Sequence, residues 1–148
     1  MKQFEKSRLW RLVLTAMLIP LAFVAFWPSP VDQPFHGQLA ALLNSLHRRG
    51  IPTWFNYTFV EASANVALFV PVGVVSSPAF PNWPWWRIGV FGLLISCCME
   101  LGQLLFLHDR FPSPIDIVTN TSGAVIGALL AGAAVKRLQA RRLPATDL

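Results

Sequence analysis

The sequence predicts an all-α integral membrane protein, a bundle of four transmembrane helices, and three observations predict it. Hydrophobic residues make up 54% of the 148-residue chain. They are gathered into four long blocks. The basic residues cluster at the outer edges of the first and last blocks. Each block, residues 10–27, 60–80, 88–107 and 115–135, approaches the roughly 20 apolar residues that cross a bilayer as a helix. A soluble core would be assembled from shorter amphipathic segments instead. One membrane domain over residues 1–148 is therefore expected.

The first block, LWRLVLTAMLIPLAFVAFW, has the basic start and apolar middle of a secretory signal. It runs past signal length into Trp27 and Pro28 without a small-x-small cleavage site, which predicts a retained anchor. The net charge of +5 comes largely from two groups, Lys2, Lys6, Arg8 and Arg11 before or at the start of this helix, and Lys136, Arg137, Arg141 and Arg142 after the last. Short basic flanks of this kind follow the positive-inside rule and put both termini in the cytoplasm. Such flanks also adhere to anionic headgroups. No nucleic-acid partner is needed to explain them.

Between the first two spans, GQLAALLNSLHRRG places Leu39, Leu42, Leu43 and Leu46 on one helical face, with Gly50 and Pro52 as a stop signal. It is too short to span. A surface helix in the first extracytoplasmic loop is expected, with a loop helix packed on the bundle as the alternative. The second span carries Pro71, which removes one backbone hydrogen bond and predicts a bend. The turn SSPAFPNWPWWR then groups three prolines with three tryptophans, the residue favoured at the headgroup level.

The third span contains Cys97 and Cys98, adjacent in a helix and so pointing apart; neither a disulfide framework nor a metal site is expected. The fourth is rich in small residues, and Gly123 and Gly127 form a small-xxx-small pair that predicts close helix packing without saying against which helix.

Polar residues concentrate between and around the last three spans. With the termini inside, Glu61 and Asn65 lie one turn apart near the outer end of span two. Glu100 and Gln103 share a face toward the outer end of span three. Asp116 and Asn120 occupy the outer turns of span four, and Arg110 in the connecting loop is the available counter-charge. Glu100 lies roughly 10 Å inside its helix end at 1.5 Å per residue. A carboxylate at that depth usually faces a partner or a cavity. These seven residues form the predicted ligand-binding pocket in the outer half of the bundle. Asp116 as a helix-start residue, Glu61 in water and Glu100 in an ion pair with Arg110 are the structural alternatives.

These residues carry a resemblance. EASANVALFVPVG, followed by ELGQLLFLHDRFPSPIDIVTNTSGAVIG, resembles the VanZ-like family of small bacterial membrane proteins. The family pattern pairs an acidic residue and an asparagine with F-x-P-x-G, then E-x-x-Q, an arginine, and D-x-x-x-N-x-x-G-x-x-x-G. Here those positions are Glu61, Asn65, Phe69, Pro71, Gly73, Glu100, Gln103, Arg110, Asp116, Asn120, Gly123 and Gly127. Motif-bearing residues run from 57 to 130, within a core expected at 57–135. Asp109 stands where the family commonly has glycine, and Ser113-Pro114 replaces a more acidic approach to Asp116. The resemblance implies a multi-pass protein of the bacterial cytoplasmic membrane. It also implies a link to teicoplanin-type glycopeptide resistance, the association of the founding member.

Three functions compete. The first is a non-catalytic envelope protein whose pocket binds membrane lipids or lipid-linked cell-wall or polysaccharide precursors, alone, as a homo-oligomer or with envelope protein partners. The second is an enzyme on a lipid-linked phosphate or sugar, with Glu100 and Asp116 as catalytic acid and base. The third is a small proton-coupled transporter using Glu100, disfavoured because the polar groups crowd one side of the membrane. No nucleophile motif or phosphate-binding glycine loop appears, and His108 with Asp109 is a poor ligand set. No metal or other cofactor is expected.

Overall fold

The structure, a computed structural model, describes residues 2–27, 33–107 and 112–141. Five α-helices make up almost all of it: α1 (Lys2–Ala25), α2 (His36–Arg48), α3 (Tyr57–Ala79), α4 (Trp85–Phe106) and α5 (Pro114–Ala140), with a single 3₁₀ turn, Gln33–Phe35, leading into α2. No strand occurs among the described residues. Four of the helices, all but α2, are long and apolar enough to cross a membrane. Helix α1 starts at Lys2, ahead of its predicted block, and α5 runs on to Ala140, beyond its block, because backbone hydrogen bonding continues into the polar flanks. At 27 residues, α5 is roughly 40 Å long. That exceeds a hydrocarbon core of roughly 30 Å, so its basic turns, with Lys136 and Arg137 exposed, extend past the apolar stretch.

Interhelical contacts fix the arrangement. The Arg11 Nε donates to the Ala79 carbonyl at 3.1 Å, placing the start of α1 beside the end of α3. Gln103 Nε2 donates to the Ala25 carbonyl at 2.9 Å, placing the end of α4 beside the end of α1. Thus α3 and α5 run parallel to each other and antiparallel to α1 and α4. The start of α1, the α3–α4 turn and the end of α5 share one end of the bundle.

The tightest seam joins α3 to α5, through glycine. A side chain on Gly73 would strike the Ala124 carbonyl, one on Gly127 the Val70 carbonyl, and one on Gly123 the Val66 carbonyl. The small-residue pair therefore packs on α3, and Gly73 completes the contact from the other side. Backbones this close gain dispersion and Cα–H···O contacts that lipid-facing leucines cannot supply. On the other flank of α5, Gly92 of α4 meets the Ala124 side chain. A compact core of Leu14, Phe69, Val72, Ala79 and Ala124 lies between α1, α3 and α5.

Pro71 leaves α3 continuous from Tyr57 to Ala79. Its ring is exposed, while Val72 and Gly73 face the packed side. Outward-facing Leu94, Leu101, Leu104, Leu105, Val118, Leu129 and Leu130 remain exposed, an apolar surface too extensive for a water-soluble monomer and suited to lipid. The amphipathic α2 buries Leu43 and leaves Leu42 exposed. His47 Nε2 lies 3.0 Å from the Phe55 carbonyl and His36 contacts Tyr57 edge-on, so α2 rests against the segment leading into α3.

Candidate functional site

Helix geometry puts the predicted polar residues at the end of the bundle opposite Arg11. Glu61 and Asn65 occupy the first turns of α3, Glu100 and Gln103 the last turns of α4, and Asp116 and Asn120 the first turns of α5. Their burial differs. Glu100, Gln103 and Asn120 are 6%, 9% and 7% exposed, whereas Asn65 and Asp116 are half-buried and Glu61 is exposed. Arg110, with His108 and Asp109, lies outside the described residues.

The three buried side chains each reach a residue outside the predicted set. Glu100 Oε2 accepts a 2.7 Å hydrogen bond from the Ser113 backbone N–H. Ser113 is the N-cap of α5, and its Oγ accepts from the Asp116 N–H at 3.3 Å. Capping satisfies an amide that the helix itself leaves open. Ser113 thus links the Glu100 carboxylate to the backbone amide of Asp116 in the first turn of α5. Gln103 holds the last turn of α1 through the Ala25 carbonyl. Asn120 Nδ2 donates to Ser96 Oγ at 2.9 Å, a fully buried contact between α4 and α5.

Asn120 Oδ1 is buried and has no hydrogen-bond partner among the described residues. An unmet buried acceptor costs of order 1–3 kcal/mol, and it is suited to an N–H or O–H donor such as a water molecule. Ser76 Oγ, farther along α3, is in the same condition.

Sequence reasoning missed Ser96 and Ser113. Ser96 had a usable signal, because Ser96, Glu100 and Gln103 follow i, i+4, i+7 and share one face of α4. Ser113 had a weaker one, its position before Pro114 at a helix start. Among the described residues, no three His, Cys, Asp or Glu side chains converge as metal ligands, and Cys97 and Cys98 are both free thiols. The site offers carboxylates, amides and a capped helix start, a set for directional hydrogen bonding at a bundle end.

No curated protein and no solved structure matches the chain significantly. A family model described as VanZ/LLP1 matches residues 11–135, taking in α1 as well as the motif-bearing residues of α3, α4 and α5. With that match over most of its length, the glycine-packed four-span chain belongs to the VanZ/LLP1 family.

Proposed function

We propose that this protein is a non-catalytic component of the bacterial cell envelope, spanning the cytoplasmic membrane with both termini inside. Its polar bundle end faces outward and binds a lipid-linked or cell-surface molecule. Arg110 would hold an anionic headgroup, and Asn65, Gln103 and Asn120 would give directional hydrogen bonds. The observation that carries this reading is Glu100, a carboxylate 6% exposed within an apolar helix, at the level of five other polar candidates. Such a group costs ~3 kcal/mol at a helix centre on insertion scales and is a functional candidate by default. The basic residues at the opposite end support the orientation, and α2 would then lie on the outer surface. On this reading a link to teicoplanin-type resistance, the founding member's association, would act through capture of a wall precursor at the outer face.

Native mass spectrometry of the protein extracted with its own lipids tests the reading. A specific lipid-linked species bound to the wild type and lost in Glu100→Gln and Arg110→Ala is the expected result. Identical, unselective lipid in all three folded proteins would refute it.

The bond from Glu100 to the cap of the helix that carries Asp116 in its first turn supports one second reading, an enzyme acting on a lipid-linked phosphate or sugar with Glu100 and Asp116 as acid and base. Turnover by the purified protein, abolished in Glu100→Gln, would put this reading first.

A further inference from the structure

We infer that the opposite end of the bundle carries a second site, a cavity on Arg11 that binds a phosphate group of the kind borne by an anionic phospholipid. The cavity, of about 310 Å³, lies where the first turns of α1 meet the α3–α4 turn; Phe4, Ser7, Arg11, Phe80, Asn82 and Trp83 are among the residues that line it. It is separate from the Glu100 cluster by the length of the bundle.

Arg11 is held in place from two directions. Its Nε is committed to the Ala79 carbonyl at 3.1 Å, which also neutralises the negative end of the α3 dipole. Its guanidinium carbon sits 5.4 Å from the Phe80 ring centroid, and Phe80 is itself stacked on Trp83 at 4.3 Å. The two terminal nitrogens have no partner among the described residues. A fixed guanidinium with both terminal N–H groups open is the fork that phosphate oxygens fit.

Other polar wall groups add donors. The Trp83 indole can only donate, and the Asn82 amide supplies two more donors. No carboxylate lines the cavity. Ser7 Oγ and Asn82 Oδ1 also bring acceptors to the wall, so the preference for an anion rests on the open guanidinium and on the lack of a lining carboxylate.

The surroundings point to a lipid as the source. Trp10, Trp85 and Trp86 are exposed near this end, and indoles mark the headgroup level. Phe4 at the cavity edge is 83% exposed, available to an acyl chain. Lys6, Arg8 and Arg87 are exposed in the neighbouring turns, which raises the local concentration of anionic headgroups.

The test is native mass spectrometry of the full chain in detergent, titrated separately with phosphatidylglycerol, phosphatidylcholine and inorganic phosphate. One saturable phosphatidylglycerol is expected, bound more tightly than phosphatidylcholine, and weakened roughly tenfold or more in Arg11→Gln, the scale of a lost charged hydrogen bond. Lys6→Gln removes the same charge from another face of α1 and should weaken binding far less than Arg11→Gln, while Glu100→Gln at the far site should leave it unchanged. Arg11-dependent binding of inorganic phosphate without lipid preference would assign the site to a free phosphate. Equal losses in Arg11→Gln and Lys6→Gln would reduce it to diffuse attraction and overturn the proposal. Should Arg11→Gln fail to fold for want of its Ala79 contact, Trp83→Phe and Asn82→Ala decide the matter. Each removes donors and keeps the stack, and undiminished phosphatidylglycerol and phosphate binding in both overturns the site.

Discussion

The Glu100 carboxylate accepts a 2.7 Å hydrogen bond from the backbone N–H of Ser113, thirteen residues later and across the α4–α5 connection. Ser113 in turn caps α5, so a carboxylate near the end of one span holds the start of the next. This relationship gives Glu100 a structural duty alongside any ligand it binds, and the two are separable. Glu100→Gln retains an acceptor oxygen for Ser113, whereas Glu100→Ala leaves that N–H unmet. We expect Glu100→Ala to lose about 1–3 kcal/mol of stability, seen as a lower midpoint in detergent unfolding, with Glu100→Gln much closer to wild type. Equal losses would mean that the charge, not the hydrogen bond, matters.

The α3–α5 seam predicts opposite effects for glycines of one helix. Gly127→Ala places a methyl against the backbone of α3 and should destabilise by about 1–3 kcal/mol, as overpacking does. Gly132→Ala, five residues on, meets nothing within 4 Å and should be neutral or stabilising by up to about 1 kcal/mol through helix propensity. Thermal aggregation of the two variants in the same detergent compares them directly. A Gly127→Ala protein as stable as wild type would contradict the seam.

The contact between Ser96 and Asn120 is suited to a double-mutant cycle with Ser96→Ala and Asn120→Ala. Interhelical hydrogen bonds in membrane proteins couple by about 0.6 kcal/mol on average and about 1.7 at most. We expect a coupling within that range. Strict additivity of the two substitutions would remove the bond from the account of how α4 meets α5.

Orientation is open to thiol labelling. In a background with Cys97 and Cys98 changed to serine, Arg8→Cys and Arg137→Cys should resist a membrane-impermeant maleimide added to intact cells. Arg49→Cys should react with it. The reverse pattern would invert the bundle and place the Glu100 cluster on the cytoplasmic face.

Hydropathy is a local property, so the number of spans, the helical class and the short amphipathic α2 follow from the order of residues alone. The depth of Glu61, Asn65, Glu100, Gln103, Asp116 and Asn120 along their helices followed too, because rise per residue is constant. Partner choice is not local. Only the packed bundle shows that Gly123 and Gly127 meet Gly73 and its neighbours on α3, that Gln103 spends its amide on the end of α1, and that Ser96 receives Asn120. Only there does Arg11, one basic residue of several in the sequence, become the fixed wall of a cavity. Each of these depends on which helix faces align across 24 to 78 residues of chain. That alignment is set by close backbone approach and shared hydrogen bonds, and both exist only once the helices have packed.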